Sequence, residues 1–388
     1  MPLVALALFI FGIGSWALLG GAGYLLWTWY QGDLVRDASG LLVVLRDDRR
    51  LWWGLGLLAW SLMGRHLLRL VLARGDKGPA SKPERQNGGM VPGTSGAMLY
   101  VETHGPETAP PIVFTHGWGL DSTIWTYVKR DLAGSFRLIL WDLPGLGKSK
   151  LAKDGALGLI DFAADLTTVM ALAWPQPVIL VGHSIGGMAI QTLARDNPTL
   201  FRQQVAGVVL VNTTYTNPLK TMVLSGLAQA LRWPVLEPMF RLTIWLQPLA
   251  WLSAWQGYMS GSAHLANRLQ FGRFVTRSQL DHTTLLGTRN PPGALAKGNL
   301  AMFRWDATEA LRNLDVPLLV LGGDADLVTK LEAGQVIAQK APRATLRTIA
   351  GVNHMGFLER ADLYNSAIRD FATSLAKASG IPEVVRSA

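Results

Sequence analysis

Pro177-Val178-Ile179-Leu180-Val181-Gly182-His183-Ser184-Ile185-Gly186-Gly187-Met188 is the stretch that decides how this chain folds. Four apolar residues, three of them β-branched, read as a buried strand and run directly into Gly-x-Ser-x-Gly. Behind them, residues 188–195 carry a helical pattern that stops at Asn197-Pro198. A strand, a tight turn and a helix are the context in which a serine stands at the tip of a strained turn, its Oγ clear of the sheet. Gly182 and Gly186 then allow strand and helix to pass closely. A helix starting at Ile185 also points free backbone N–H groups at whatever reacts with Ser184.

The composition limits what surrounds this turn. The chain has 388 residues, 49% hydrophobic and only 16% charged, with 15 tryptophans. That is apolar for a wholly soluble protein and implies that part of the chain faces lipid. With no cysteine, disulfides, thiol catalysis and thiolate metal sites are excluded. The net charge of +9 never gathers into a run of five or six Lys/Arg, so no nucleic-acid partner is expected. Attraction to anionic headgroups is a better use of it.

Residues 3–30 carry no charge. As a helix they exceed the ~30 Å hydrocarbon core of a bilayer, and Trp27, Trp29 and Tyr30 cluster at one end as interface anchors would. A cleaved signal peptide would start with Lys or Arg and have a shorter apolar centre. Residues 51–64 form a second apolar stretch, only 14 residues long before Arg65, His66 and Arg69. It is expected to span, with lying in the interface as the alternative. Residues 1–73 thus read as a membrane anchor of one or two helices, and 74–96, rich in Gly, Pro, Ser and Lys, as a flexible linker. The basic residues after Gly64 outweigh those of the intervening loop, six to four. That bias places the rest of the chain on the cytoplasmic side.

From Ala97 onward, short apolar runs alternate with helical segments. Strands are predicted at 98–102, 112–115, 138–141, 178–181, 208–211, 318–321 and 345–349. Helices are predicted at 124–132, 160–173, 185–196, 331–340 and 361–378. Near-continuous apolar strands between helices predict an α/β fold, a mostly parallel sheet covered on both faces. The alternation breaks between 213 and 303, a helix-rich insert with Trp233, Trp245, Trp251 and Trp255 that reads as a cap. The core is then 97–212 together with 304–388.

Three further loops fall where a reacting serine needs them. Thr115-His116-Gly117-Trp118-Gly119 follows a strand, so that the Trp118 and Ile185 N–H groups can form an oxyanion hole. Gly322-Gly323-Asp324-Ala325-Asp326 puts acids at the carboxyl end of a strand. Gly351-Val352-Asn353-His354 puts a histidine on a loop before the terminal helix. Gly147-Lys148-Ser149 looks like the end of a phosphate loop but lacks the glycine five positions earlier, where Asp142 stands. No His/Asp/Glu set has metal-ligand spacing, and no cofactor is expected.

In this order and context, the His-Gly-x-Gly loop, the Gly-x-Ser-x-Gly turn, the late acid and the late histidine resemble the α/β-hydrolase fold over residues 97–378. Asp142-Leu143-Pro144-Gly145-Leu146-Gly147-Lys148-Ser149 also resembles that family's Asp-x-x-Gly-x-Gly-x-Ser turn. The membrane anchor beside a lipase-like core is similar in architecture to membrane-anchored monoacylglycerol lipases. The resemblance implies a serine hydrolase of carboxylic esters with apolar, lipid-like acyl chains. Ser184 would be the nucleophile, His354 the base and Asp326 the acid that orients it. Asp326 is preferred to Asp324 because it stands three residues after Gly323. His116 and Asp142 read as turn-holding residues, and His264 and His282 as ordinary cap histidines. Cofactor-free haloperoxidases and carbon–carbon bond hydrolases share the triad and stay open as alternatives. So does a catalytically silent membrane scaffold.

Overall fold

The computed structural model describes residues 2–86 and 88–378. Helix α1 (Pro2–Gln31) runs out to a two-stranded ribbon, β1 (Asp33–Arg36) with β2 (Leu42–Leu45), and α2 (Asp48–Leu72) returns beside it. The two helices approach closely. A Cβ on Gly54 would lie 2.8 Å from Leu26, and one on Gly21 would lie 3.7 Å from Leu57. Both helices are long and apolar enough to cross a bilayer. At 25 residues α2 outruns the 14-residue apolar stretch, because its basic residues have partners. Arg69 pairs with Asp281 at 3.3 Å, and the Arg65 guanidinium lies 4.6 Å from the centre of the Tyr258 ring.

The next strands are β3 (Gly89–Pro92), β4 (Met98–His104) and β5 (Pro111–Thr115), followed by helix α3 (Thr126–Leu132) and β6 (Arg137–Trp141). Then come α4 (Leu159–Ala171), β7 (Val178–His183), α5 (Ile185–Asp196), α6 (Pro198–Gln204) and β8 (Val205–Val211). After the cap the chain adds β9 (Leu318–Gly323) and β10 (Ala344–Ile349). Among the described residues these strands form one eight-stranded sheet in the order β10-β9-β8-β7-β5-β6-β4-β3. It is parallel from β10 to β6 and antiparallel at β4 and β3. Central strands β5, β7 and β9 are buried along their whole length, which is why they read as unbroken apolar runs. Edge strand β10 alternates instead. One apolar core lies on the α4/α5 face around Phe162, Leu166 and Ile190, the other around Trp125, Phe114 and Tyr364.

The cap comprises α7 (Pro218–Thr221), α8 (Ser225–Ala230), α9 (Glu237–Trp245), α10 (Gln247–Ser260), α11 (Ser262–Arg268), α12 (Arg277–Arg289) and α13 (Pro292–Met302). The chain closes with α14 (Leu331–Lys340), α15 (Gly356–Glu359) and α16 (Ala361–Ala378). The helix predicted at 124–132 begins instead as a 3-10 turn, Ser122–Trp125, because Asp121 accepts the Thr123 N–H and caps it.

The expected flexible linker at 74–96 is packed against the domain. The Arg74 N–H donates to the Val275 carbonyl (3.0 Å), and the Arg74 carbonyl accepts the Arg277 N–H (2.9 Å). Ser81 Oγ meets His282 Nδ1 at 2.8 Å. Arg85 is nearly buried and bridges Asp121 (2.7 Å) and Asp142 (2.9 Å). Residues 89–92 then form β3 against β4. The linker's few large apolar residues predicted no folded structure, but its polar residues supply the partners.

Candidate active site

Ser184 follows directly after β7 with φ 54° and ψ −118°, a backbone conformation that non-glycine residues rarely adopt. Two bonds hold it there: its N–H donates to the Val211 carbonyl (3.0 Å), and Thr213 Oγ1 donates to its carbonyl (2.6 Å). The turn admits no side chain on either flank. A Cβ on Gly182 would lie 2.6 Å from the Gly186 carbonyl, and one on Gly186 would lie 2.4 Å from the Thr115 carbonyl oxygen. Ile185 is the first residue of α5, so its N–H has no acceptor within the helix.

The β9 and β10 loops converge on one pair. His354 Nδ1 lies 3.0 Å from Asp326 Oδ2, and both side chains are buried. Asp326 Oδ1 accepts the Val328 and Thr329 N–H groups at 2.8 and 2.9 Å. Its Oδ2 also accepts Thr329 Oγ1–H and Asn212 Nδ2–H, both at 2.9 Å. Burial works to raise this carboxyl's pKa, but His354 and the hydrogen bonds outweigh it and hold it below the usual carboxylate range. Asp326 is therefore an anion that can fix the imidazole tautomer with the proton on Nδ1. His354 Nε2 is buried and has no hydrogen-bond partner among the described residues. Asn353 Oδ1 ties the two loops together by accepting the N–H groups of both His354 (2.7 Å) and Leu327 (2.9 Å).

Asp324 does not reach this pair. It is exposed, and its Oδ1 accepts the Gly351 N–H instead (2.7 Å). His116 and Asp142 hold their turns. His116 Nδ1–H donates to the Gly117 carbonyl, and Nε2 accepts the Leu143 N–H. Asp142 accepts the N–H groups of Ser122 and Lys148. Trp118 joins its loop to the cap: its indole N–H donates to the Leu295 carbonyl (3.0 Å), and its ring packs on Gly298. In the cap, His264 Nε2 lies 3.0 Å from Asp281, and His282 lies between Ser81 and Thr123.

Two contributors carry almost no signal in the sequence. Asn212 sits at φ 43°, donating to Asp326 while its Oδ1 accepts the buried Tyr364 hydroxyl (2.8 Å). His183 lies beneath His354, with ring centroids 4.8 Å apart, and its Nε2–H donates to the His354 carbonyl (3.1 Å). Burial pushes its pKa well below the ordinary histidine value, so it is a neutral packing group. Only an Asn just after a strand hints at the first, and nothing distinguishes the second from any residue in the Gly-x-Ser-x-Gly turn.

A cavity of about 450 Å³ lies above the Trp118 loop, under the cap and against α1. Its lining is mainly apolar, the composition of sites for apolar ligands. Among the described residues no group of three His, Cys, Asp or Glu side chains could hold a metal ion.

The chain is similar to several named hydrolases. Pimeloyl-[acyl-carrier protein] methyl ester esterase of Sodalis glossinidius is 30% identical over 272 residues, covering 67% of this chain and 93% of that protein. The enzyme of the same name from Nitrosomonas europaea is 28% identical, covering 68% of this chain and 94% of its own length. Among solved structures, a putative aryl esterase from Burkholderia cenocepacia superposes with a TM-score of 0.61 at 22% identity, over 75% of this chain and all of that one. A bromoperoxidase from Bacillus anthracis superposes at 0.59 with 21% identity, over 74% of this chain and all of that one, so this likeness is one of fold. Residues 110–361 match the family described as alpha/beta hydrolase fold, and the chain belongs to that family.

Proposed function

We propose that the protein is a membrane-anchored serine hydrolase that cleaves carboxylic esters with apolar acyl chains through an acyl-enzyme. Ser184 Oγ attacks the ester carbonyl and passes its proton to His354 Nε2. The Trp118 and Ile185 N–H groups take the negative charge that develops on the carbonyl oxygen. As the tetrahedral adduct collapses, His354 returns the proton to the departing alkoxide. Water, deprotonated by the same imidazole, then releases the acid and restores Ser184. Throughout, Asp326 holds the imidazole tautomer and stabilises its charged form. The observation that carries this reading is the buried His354–Asp326 pair, with His354 Nε2 left without a partner, together with a serine held at φ 54° after β7.

The names of the curated relatives, pimeloyl-[acyl-carrier protein] methyl ester esterases, support ester cleavage. The two N-terminal helices support anchoring in the membrane, and the excess of basic residues after Gly64 supports a cytoplasmic catalytic domain. A fluorophosphonate probe tests the chemistry, because only an activated serine reacts with it. The full-length protein should be labelled at Ser184, and the Ser184→Ala variant should be neither labelled nor active on short soluble esters. Labelling elsewhere, or turnover surviving in Ser184→Ala, would overturn the assignment. An absence of labelling with folding intact would favour a silent scaffold.

A further inference from the structure

The cavity has a wall that the catalytic fold does not supply. Leu8, Phe9 and Gly12 of α1 line one side, Leu242 and Leu249 of the cap line the other, and Trp118 lies at the inner end. Residues 8, 9 and 12 share one face of α1. They lie outside the 110–361 span that matches the family. Ser184 and His354 do not line the cavity, but two of its lining residues, Trp118 and Gln270, connect to them through near neighbours. Trp118 follows Gly117, whose Cα packs on the His183 ring just before Ser184. Gln270, another lining residue, accepts through its carbonyl the Met355 N–H next to His354 (3.0 Å).

Polar contacts lock α1 to the cap. Ser15 Oγ donates to Ser260 Oγ (2.8 Å), and Gln256 Nε2 donates to Ser15 Oγ and to the Ser61 carbonyl, both at 3.4 Å. Ser15 lies about 20 Å along α1, so α10 packs beside the middle of a helix long enough to cross a bilayer. Polar side chains that satisfy one another between packed helices are what hydrocarbon surroundings demand. Leu8, Phe9, Leu242 and Leu249 line the cavity and are also solvent-exposed, so its mouth opens between α1 and the cap. Trp245 and Leu252, each three residues on from a lining leucine, are exposed as well, at 79% and 53%. Exposed apolar side chains gathered on these segments suit lipid.

We propose that α1 forms one wall of the acyl-binding site, and that the mouth between α1 and the cap admits the acyl chain of a membrane-resident ester sideways from the bilayer. The ester end lies toward Trp118 and the tail between α1 and α9–α10. This rests on the reading of Ser184 as the nucleophile.

The test uses the full-length protein in detergent micelles. The ratio of kcat/KM for a twelve-carbon to a four-carbon p-nitrophenyl ester is measured in wild type, Gly12→Leu, Leu8→Trp and Ile13→Trp. A side chain at 12 must project toward Ser253, whose Oγ lies 3.3 Å from the Cβ position, and so into the cavity. Each buried methylene is worth roughly fourfold in affinity. Displacing two or three of them should lower the ratio on the order of tenfold or more in Gly12→Leu and Leu8→Trp. Ile13 is 58% exposed and does not line the cavity, so Ile13→Trp should leave the ratio within about twofold. A second arm needs no variant. A twelve-carbon fluorophosphonate with a terminal diazirine is attached to wild-type Ser184 and irradiated, and its crosslinks should map to residues 4–16. An unchanged ratio in both cavity variants with Ser184 still labelled, or crosslinks found only beyond residue 97, would overturn the proposal and leave the hydrolase standing. If the probe does not label wild-type Ser184, the hydrolase reading fails and this one falls with it.

Discussion

Replacing Asp326 by Asn should nearly abolish turnover, while Asp324→Asn should barely register, and the structure says why two acids two residues apart differ so much. Oδ1 of Asp326 accepts two backbone N–H groups, so an amide at 326 must keep its oxygen there. Its NH2 then occupies the Oδ2 position, facing three donors: Asn212 Nδ2, Thr329 Oγ1 and His354 Nδ1–H. The hydroxyl can rotate, but Asn212 is pinned by Tyr364 and cannot easily flip. His354 escapes by moving its proton to Nε2, which leaves the nitrogen that should take the serine proton already protonated. In triads of this kind that tautomer error costs on the order of 10⁴ in kcat. The mismatched buried donors should also cost about 1–3 kcal/mol of stability. Asp324→Asn keeps an oxygen for the Gly351 N–H at an exposed position, so activity should stay within about twofold and stability within ~0.5 kcal/mol. Steady-state hydrolysis of a short soluble ester and thermal unfolding, run on both variants, decide the matter. If Asp324→Asn were the more damaging, or Asp326→Asn kept more than a few percent of wild-type activity, the acid would be misassigned and the buried pair would be structural.

The other expectations come from separate parts of the molecule. Gly186→Ala drives a Cβ to 2.4 Å from the Thr115 carbonyl oxygen; it should cost about 1–3 kcal/mol in thermal unfolding and reduce fluorophosphonate labelling by displacing Ser184. Arg85→Met leaves Asp121 and the fully buried Asp142 facing each other without their cation, and unfolding should show a loss of about 3–5 kcal/mol. His282 is pushed down to about 4, chiefly by burial. The unfolded chain therefore takes up this proton first, so the contribution of His282 is complete above pH ~6.5 and is lost as the pH falls from there toward 4. In His282→Gln the decline of unfolding temperature across that window should flatten, and an unchanged slope would refute the assignment.

The candidate site was legible because it is specified locally. A serine that must stand at positive φ between a strand and a helix needs glycines at 182 and 186. The central strands are buried on both faces and so appear as plain apolar runs. The choice between Asp324 and Asp326 rested on a spacing from Gly323, and the buried His354 contact agrees with it. What the sequence hid depends on distant partners. Asn212, 114 residues from Asp326, looks like any residue after a strand. Residues 74–96 look like a linker because a bridging Arg85 or a hydrogen-bonding Ser81 has the composition of a solvated segment. Short β3 offers only Met90 and Val91 as apolar residues between Gly89 and Pro92.

The relation between α1–α2 and the cap was hidden for the same reason, and it bears on the proposed anchoring role. Read along the chain, α1 and α2 are apolar segments whose purpose is complete once they sit in a bilayer. In the fold, Ala5 and Leu6 of α1 pack on the cap core of Leu219, Phe240 and Phe303. Arg69 of α2 pairs with the same Asp281 that holds His264. Gly64 of α2 lies so close to α10 that a Cβ there would be 2.4 Å from the Ser260 carbonyl oxygen. With α1 and α2 in a bilayer, as proposed, contacts this close would fix the height of the cap along them, so the depth of the cavity mouth would be set by the fold rather than by a tether. A flexible linker would have let the domain sample all orientations, most of which point the mouth at water. Strapping 74–86 to α12 and the Asp121 turn removes that freedom, leaving the mouth's exposed apolar side chains beside the only helices in the described chain able to cross the bilayer.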